Sequence, residues 1–159
     1  MWRTARVAVA LLSFTSLSGA QTPTATYPNP VRGRVMTNRD AWRTYEKYIG
    51  AWNTTSTEER LRIADEVLSE TIEYQTARHD RSVGRAQVIE DMATFHQNFP
   101  GGHFEIGGVS SHHDVALLIW VIVQADGSVF AQGPDQITVG PDGKISKITT
   151  FAPLTKELE

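Results

Sequence analysis

The stretch Gly140-Pro141-Asp142-Gly143, set between Ser128–Val139 and Lys144–Phe151, constrains the fold of this chain more than any other. Pro141 presets a turn dihedral, Asp142 can bond its own backbone, and Gly143 tolerates positive φ. The spacing therefore predicts a strand, a tight turn and a second strand. Gly133-Pro134 interrupts the first strand, and a regular ladder tolerates neither residue well, so a bulge is expected there. Asp135, Ile137 and Val139 follow at the period-two spacing that puts all three on one face. An acid on the face of two aliphatics is either a strained core residue or the polar handle of a pocket.

A chain of 159 residues suits one domain with a sizeable core. Its formal charge of −3 offers no basic footprint, so no nucleic-acid partner is expected. The absence of cysteine excludes disulfides, thiolate nucleophiles and cysteine metal sites. No Gly-rich phosphate loop and no Gly-x-Ser-x-Gly elbow occurs.

Residues 1–20 read as a signal peptide. Arg3 and Arg6 precede a short apolar run, Val7–Leu12 with Phe14 and Leu17, and Ser18-Gly19-Ala20 supplies a cleavage site before Gln21. The run is shorter than the roughly 20 residues that cross a bilayer. The expectation is a secreted or periplasmic protein with no membrane partner after cleavage. Residues 21–36, with Pro23, Pro28 and Pro30 among threonines, read as a flexible N-terminal segment.

The domain is expected over 37–155. Asn38 or Thr37 caps a helix to about Trp52, with Trp42, Tyr45, Ile49 and Trp52 on one stripe and Tyr48 at its edge. Ser56 and Glu59 form a capping-box pattern opening a second helix through Leu61, Ala64 and Leu68. Thr71–Arg78 alternates as a strand, and His79–Val83 reads as a loop. Gly84–Asn98 is a third helix with Ile89, Met92, His96 and Phe99 as its buried stripe, closed by Pro100-Gly101-Gly102. Strands His103–Ser111 and Val115–Gln124 then lead into the hairpin, giving an α+β order. Val115–Val123 is apolar at both parities, so something must cover each face of its sheet; a homodimer is the economical answer.

This succession resembles the nuclear transport factor 2-like fold, and more closely its SnoaL-like branch. The resemblance is carried by Gly84-Arg85-Ala86, Phe99-Pro100-Gly101, Trp120, Gly133-Pro134-Asp135, Asp142-Gly143-Lys144-Ile145 and Phe151, and spans about Asp40 to Pro153. It implies a cone-shaped α+β barrel of three N-terminal helices packed on a curved, mainly antiparallel sheet. One member of that fold, ketosteroid isomerase, pairs a first-helix tyrosine with a protonated strand aspartate as an oxyanion hole. On that resemblance Tyr48 takes the tyrosine's place and Asp135 the aspartate's. Tyr74 or Gln75 stands where the isomerase has its general-base aspartate. The two-aspartate, one-arginine pattern of epoxide hydrolases has no arginine to match it around Trp120.

Asp135 and Tyr48 are thus the candidate catalytic residues, polarising a carbonyl. Tyr74, His96, Trp120, Gln132 and His79 are the candidate ligand-binding residues, with His79 placed where a base could reach the cone mouth. His112-His113-Asp114 reads as a surface turn, because adjacent residues point apart, and no metal site or cofactor is expected. Asn53-Thr54-Thr55 matches a glycosylation sequon. The expected function is an exported pocket for a small hydrophobic molecule, acting as a cofactor-free isomerase, cyclase or hydratase. The alternative is a non-catalytic small-ligand binding module or dimerisation domain.

Overall fold

The structure, a computed structural model, describes residues 35–154. The expected signal peptide lies outside the described residues, as does most of the expected flexible segment. Three helices, α1 (Asn38–Asn53), α2 (Thr57–Val67) and α3 (Ala86–Asn98), accompany six strands. These are β1 (Leu68–Thr76), β2 (Ser82–Val83), β3 (His103–His112), β4 (Val115–Val123), β5 (Val129–Val139) and β6 (Ile145–Thr150). They form one open sheet in the order β2-β1-β6-β5-β4-β3, antiparallel except where β1 runs parallel to β6. The parallel pair lets the early strand β1 join the late meander, so α1 and α3 share one face of the sheet. Among the described residues no helix is long and apolar enough to cross a membrane.

Local chemistry accounts for the element ends. Thr37 caps α1 through a full capping box with Asp40. Ser56 caps α2 by accepting from the Glu59 N–H, but the Glu59 carboxylate bonds Arg62 instead of reaching back, so only half of the expected box forms. At the β5–β6 turn Gly143 has φ 81°, Asp142 accepts from the Lys144 N–H at 3.0 Å, and the Gly140 N–H meets the Lys144 carbonyl at 2.8 Å. This is the turn that its four residues predict.

Three expectations change, and the sequon asparagine proves to have a structural role. Ser82–Val83 pairs with Tyr74 and Glu73 as a short edge strand, where a loop was expected. Met36 is buried, and its N–H bonds the His113 carbonyl at 2.7 Å, so this residue packs with the domain expected to begin at residue 37. The Asn53 side chain accepts from the Phe104 N–H at 2.7 Å and donates to its carbonyl at 2.9 Å, which commits the sequon amide to holding α1 against β3. Finally, no bulge occurs at Gly133-Pro134. The β4–β5 register runs unbroken from Val115↔Thr138 to Ile122↔Ala131, and Pro134 contributes its carbonyl, which accepts from the Phe151 N–H at 3.0 Å.

Gly133 serves close approach instead. The Trp120 indole lies over it, and a Cβ there would sit 2.4 Å from Trp120 Cζ2 and 2.8 Å from Cε2. Elsewhere the core is aliphatic: Leu118, Ile137, Ile145 and Ile148 are fully buried in one cluster with Leu68, Ile72, Val88 and Met92. Burying each such side chain is worth roughly 1.5–3 kcal/mol. Gly133→Ala is expected to displace the indole and lower stability by about 1–3 kcal/mol, the usual cost of overpacking. Urea denaturation monitored by circular dichroism measures it, and an unchanged midpoint would show that the Trp120 contact is slack.

Candidate functional site

The helices leave an opening against the inward face of β1, β4 and β5, a cavity of about 520 Å3. Its rim carries Phe130 and Phe151, both about half exposed, and its wall is aromatic: Trp52 meets Phe95 and Phe104 edge to face, as Phe104 meets Trp120, while Phe95 and Phe104 are tilted. Two clusters of polar groups interrupt this apolar lining.

The first cluster centres on Asp135. Period-two alternation turns Gly133, Asp135 and Ile137 inward, and Asp135 is only 3% exposed. The Tyr45 hydroxyl donates to Asp135 Oδ2 at 2.6 Å, while Oδ1 is buried without a hydrogen-bond partner. Burial pushes the Asp135 carboxyl from its ordinary value of 3.8 up to about 6, against the opposing influence of the Tyr45 hydrogen bond and of Thr150, its register partner on β6. Burial, reinforced by the charge of Asp135, also raises Tyr45 and Tyr48, so both phenols remain protonated.

The phenol that reaches Asp135 is therefore Tyr45, not Tyr48. Tyr48 lies one turn further along α1, buried in the cavity wall with its ring 5.3 Å from that of Tyr45. The two are three residues apart, so both fall on the buried stripe, and the placement of the helix decides between them.

The second cluster centres on Asp91 of α3. Its carboxylate accepts from the Tyr74 hydroxyl at 2.9 Å and the Gln87 amide at 3.2 Å, and pairs with His79 Nε2 at 3.1 Å. Asp91, Tyr74, His79 and Gln87 all line the cavity. A carboxylate that already accepts two hydrogen bonds requires His79 to carry its proton on Nε2, which leaves Nδ1 with the free lone pair. Burial, then the neighbouring Tyr48 and Asp91, pushes the Tyr74 phenol far up, so Tyr74 is a donor and no base. Gln75 is exposed on the other face of β1.

Of the remaining candidates, Trp120 lines the cavity and the other two do not. Gln132 is exposed: it lies three residues from Asp135, and strand parity turns it outward. His96 is half-buried outside the cavity, its ring 5.3 Å from Phe95, because the buried stripe of α3 is Val88, Met92 and Phe95 rather than Ile89, Met92 and His96. Sequence reasoning passed over Asp91 and took Tyr45 for plain core. The Gln87–Asp91 pair at i, i+4 was the available signal for the first. Among the described residues no group of three or more His, Cys, Asp or Glu side chains is placed to hold a metal ion.

The Asp135 environment has a consequence for stability. Because the folded state binds the proton more tightly than the unfolded one, Asp135 favours folding below pH 3.8, and this contribution is lost as pH rises through about 6. The difference is worth on the order of 3 kcal/mol. Stability curves of the wild type and Asp135→Asn, subtracted from pH 3 to pH 8, should show a change of that size centred between those values. A flat difference would mean that Asp135 titrates as an exposed acid.

The profile of the SnoaL-like domain matches residues 45–148. A proposed isomerase of the SnoaL-like family from Agrobacterium tumefaciens str. C58 superposes with a TM-score of 0.67 at 21% identity, over 74% of this chain and 99% of that one. A proposed SnoaL-like polyketide cyclase from Jannaschia sp. CCS1 gives 0.57 at 12% identity, over 76% and 89%. A de novo designed NTF2-fold protein, NT-9, gives 0.57 at 16% identity, over 74% and 88%. At these identities the structures establish the shared fold alone, and no curated protein matches the sequence. The aromatic pocket, the three-helix, six-strand topology and the match over most of the described residues lead to one assignment: this chain belongs to the SnoaL-like family of the NTF2-like fold.

Proposed function

We propose that the cavity binds a small, mainly apolar carbonyl compound and moves a proton on it using side chains alone, as an isomerase-like enzyme. The observation that carries this reading is that Asp135 with Tyr45 and His79 with Asp91 open onto the same cavity. A raised carboxyl can give a proton to a carbonyl oxygen, and an imidazole oriented by a carboxylate can take one from the adjacent carbon. In the forward step the C–H bond breaks toward His79 Nδ1 while the oxygen receives the Asp135 proton, giving an enol, an imidazolium and a carboxylate. Where the substrate has a carbon–carbon double bond conjugated with that enol, return of the enol proton to Asp135 with delivery of the His79 proton to the far carbon of that double bond shifts the double bond and restores both groups. Tyr45 steadies the Asp135 carboxylate between the steps, and Tyr48 is a wall residue.

Deuterium exchange at the carbon beside the carbonyl of 2-tetralone, followed by NMR, tests the chemistry. Wild type should exceed buffer, and His79→Ala and Asp135→Ala should each lower the protein-dependent rate by about 100-fold, the usual scale of acid–base catalysis. Retention of the rate in both variants would remove those residues from the mechanism. Binding of the ketone without exchange would make the domain a small-ligand binding module.

Export and dimerisation belong to the same proposal. Export rests on the Arg3–Ala20 pattern. Dimerisation rests on the outward side of β4, where Leu117 is 45% exposed and Ile119 half-buried. Native mass spectrometry of protein recovered from the secretory fraction should give twice the mass of a chain starting at Gln21. A monomer would refute the dimer, and a chain retaining Met1 would refute cleavage.

A further inference from the structure

The β3–β4 hairpin takes no part in the proposed reaction: neither His112 nor His113 lines the cavity. Its two-residue turn is His113-Asp114, with His112 paired to Val115 and His113 at φ 58°. Hairpin turns of this length usually place Gly, Asn or Asp where φ is positive. Histidine adds a ring there. Adjacent side chains point apart on extended backbone, but His113 has left it, and its ring turns back against that of His112. The two Nδ1 atoms are 2.8 Å apart, with ring centroids 4.1 Å apart and planes at 77°.

Two imidazole nitrogens at that separation need something between them. Where both rings carry their single proton on Nε2, the two Nδ1 lone pairs repel unless a proton or a cation bridges them. A shared proton is held best along the line joining the nitrogens, with the rings end to end. End-to-end rings with these nitrogens 2.8 Å apart would hold their centroids wider than the 4.1 Å found, so the lone pairs are canted off that line. Canted lone pairs suit a chelated ion. A metal about 2.0 Å from each nitrogen spans about 2.8 Å between ligands at a right angle and about 3.3 Å at the tetrahedral angle. The observed separation is therefore the bite of a tetragonal ion, copper(II) or nickel(II), rather than of tetrahedral zinc.

The fold holds this geometry in place. The His113 carbonyl accepts from the Met36 N–H at 2.7 Å, and the Asp114 carbonyl from the Val139 N–H at 2.8 Å, so both residues of the turn are tied to neighbouring segments. On the strand before it, Asn38 Oδ1 accepts from the Ser111 N–H at 2.8 Å and from its hydroxyl at 2.7 Å. His112 is exposed and His113 half-buried, so an ion can reach both rings from solvent. Ligands fixed beforehand lose little freedom on binding.

We propose that His112 Nδ1 and His113 Nδ1 chelate a copper(II) ion at the turn of the β3–β4 hairpin, with solvent completing its tetragonal plane. Both imidazoles bind in the neutral form, with the proton on Nε2. The ordinary order of divalent affinities places copper ahead of nickel and zinc at such nitrogen ligands.

The test titrates tag-free protein with copper(II) at pH 7.5. At one equivalent, electron paramagnetic resonance of wild type should give an axial spectrum split by two equatorial nitrogens. His113→Asn, which keeps a residue suited to positive φ, and His112→Gln should each weaken copper binding by at least about 10–100-fold, the scale reached when only an outer partner of a ligand is lost. In wild-type NMR, substoichiometric copper should broaden the ring protons of His112 and His113 before those of His79, His96 and His103, a readout that stands even if a variant fails to fold. No binding by wild type, fewer than two nitrogens, unchanged affinity in either variant, or earlier broadening at another histidine would overturn the chelate.

Discussion

Tyr45 and Asp135 are 90 residues apart in the chain and share a 2.6 Å hydrogen bond in its interior. The rest of the cavity is arranged around the cost of that carboxyl. Taking a carboxylate out of water is expensive, and the Tyr45 and Thr150 hydroxyls recover only part of the loss, so the carboxyl answers by rising to about 6. The raised value follows from the fold: strand parity turns residue 135 inward, and α1 closes over it. Any rearrangement that let water reach Asp135 would return it to an ordinary acid.

How far the sequence reveals this depends on which periodicity is asked. Period two places Asp135 with Ile137 on the buried face, and the Pro141–Gly143 chemistry sets the hairpin that delivers it. The same parity excludes Gln132, three residues away, so that candidate failed against information already in the strand. Helical periodicity is less sharp. Tyr45 and Tyr48 sit on one stripe, and only the seating of α1 on the sheet decides which hydroxyl meets the acid. The Asp91 cluster is harder still. It needs the β1–β2 turn to carry His79 back toward α3, and the short β2 that makes this turn has only two residues with which to announce itself. Gly133 misled for a different reason. A glycine in a strand signals either a bulge or a close approach, and the Trp120 ring that decides between them is 13 positions upstream.

The two polar clusters differ in exposure, and this suits them to different tasks. Asp135 is sealed off, while the His79 side chain is 38% exposed and its partner Asp91 only 9%. A proton donor gains from desolvation, because its neutral form is then the favoured one. In the proposed reaction, a base that exchanges its proton with solvent between turnovers gains from access. The tyrosines extend this division, since Tyr45 and Tyr74 each donate to one of the two carboxyl groups and neither can ionise in its surroundings.

Gly133 links this chemistry to the architecture. Without a side chain there, the Trp120 indole can lie directly against β5, while an indole donor and a carboxyl oxygen of the cavity lining are left without protein partners in the interior. Neither helps the domain fold. The stability to tolerate them comes from elsewhere, from the fully buried aliphatic layer of Leu118, Ile137, Ile145 and Ile148 and from ladders that run through Gly133 without a break. Buried polar atoms beside an otherwise well-packed core cost stability, and it is the aliphatic layer that offsets this cost and lets the polar cavity persist.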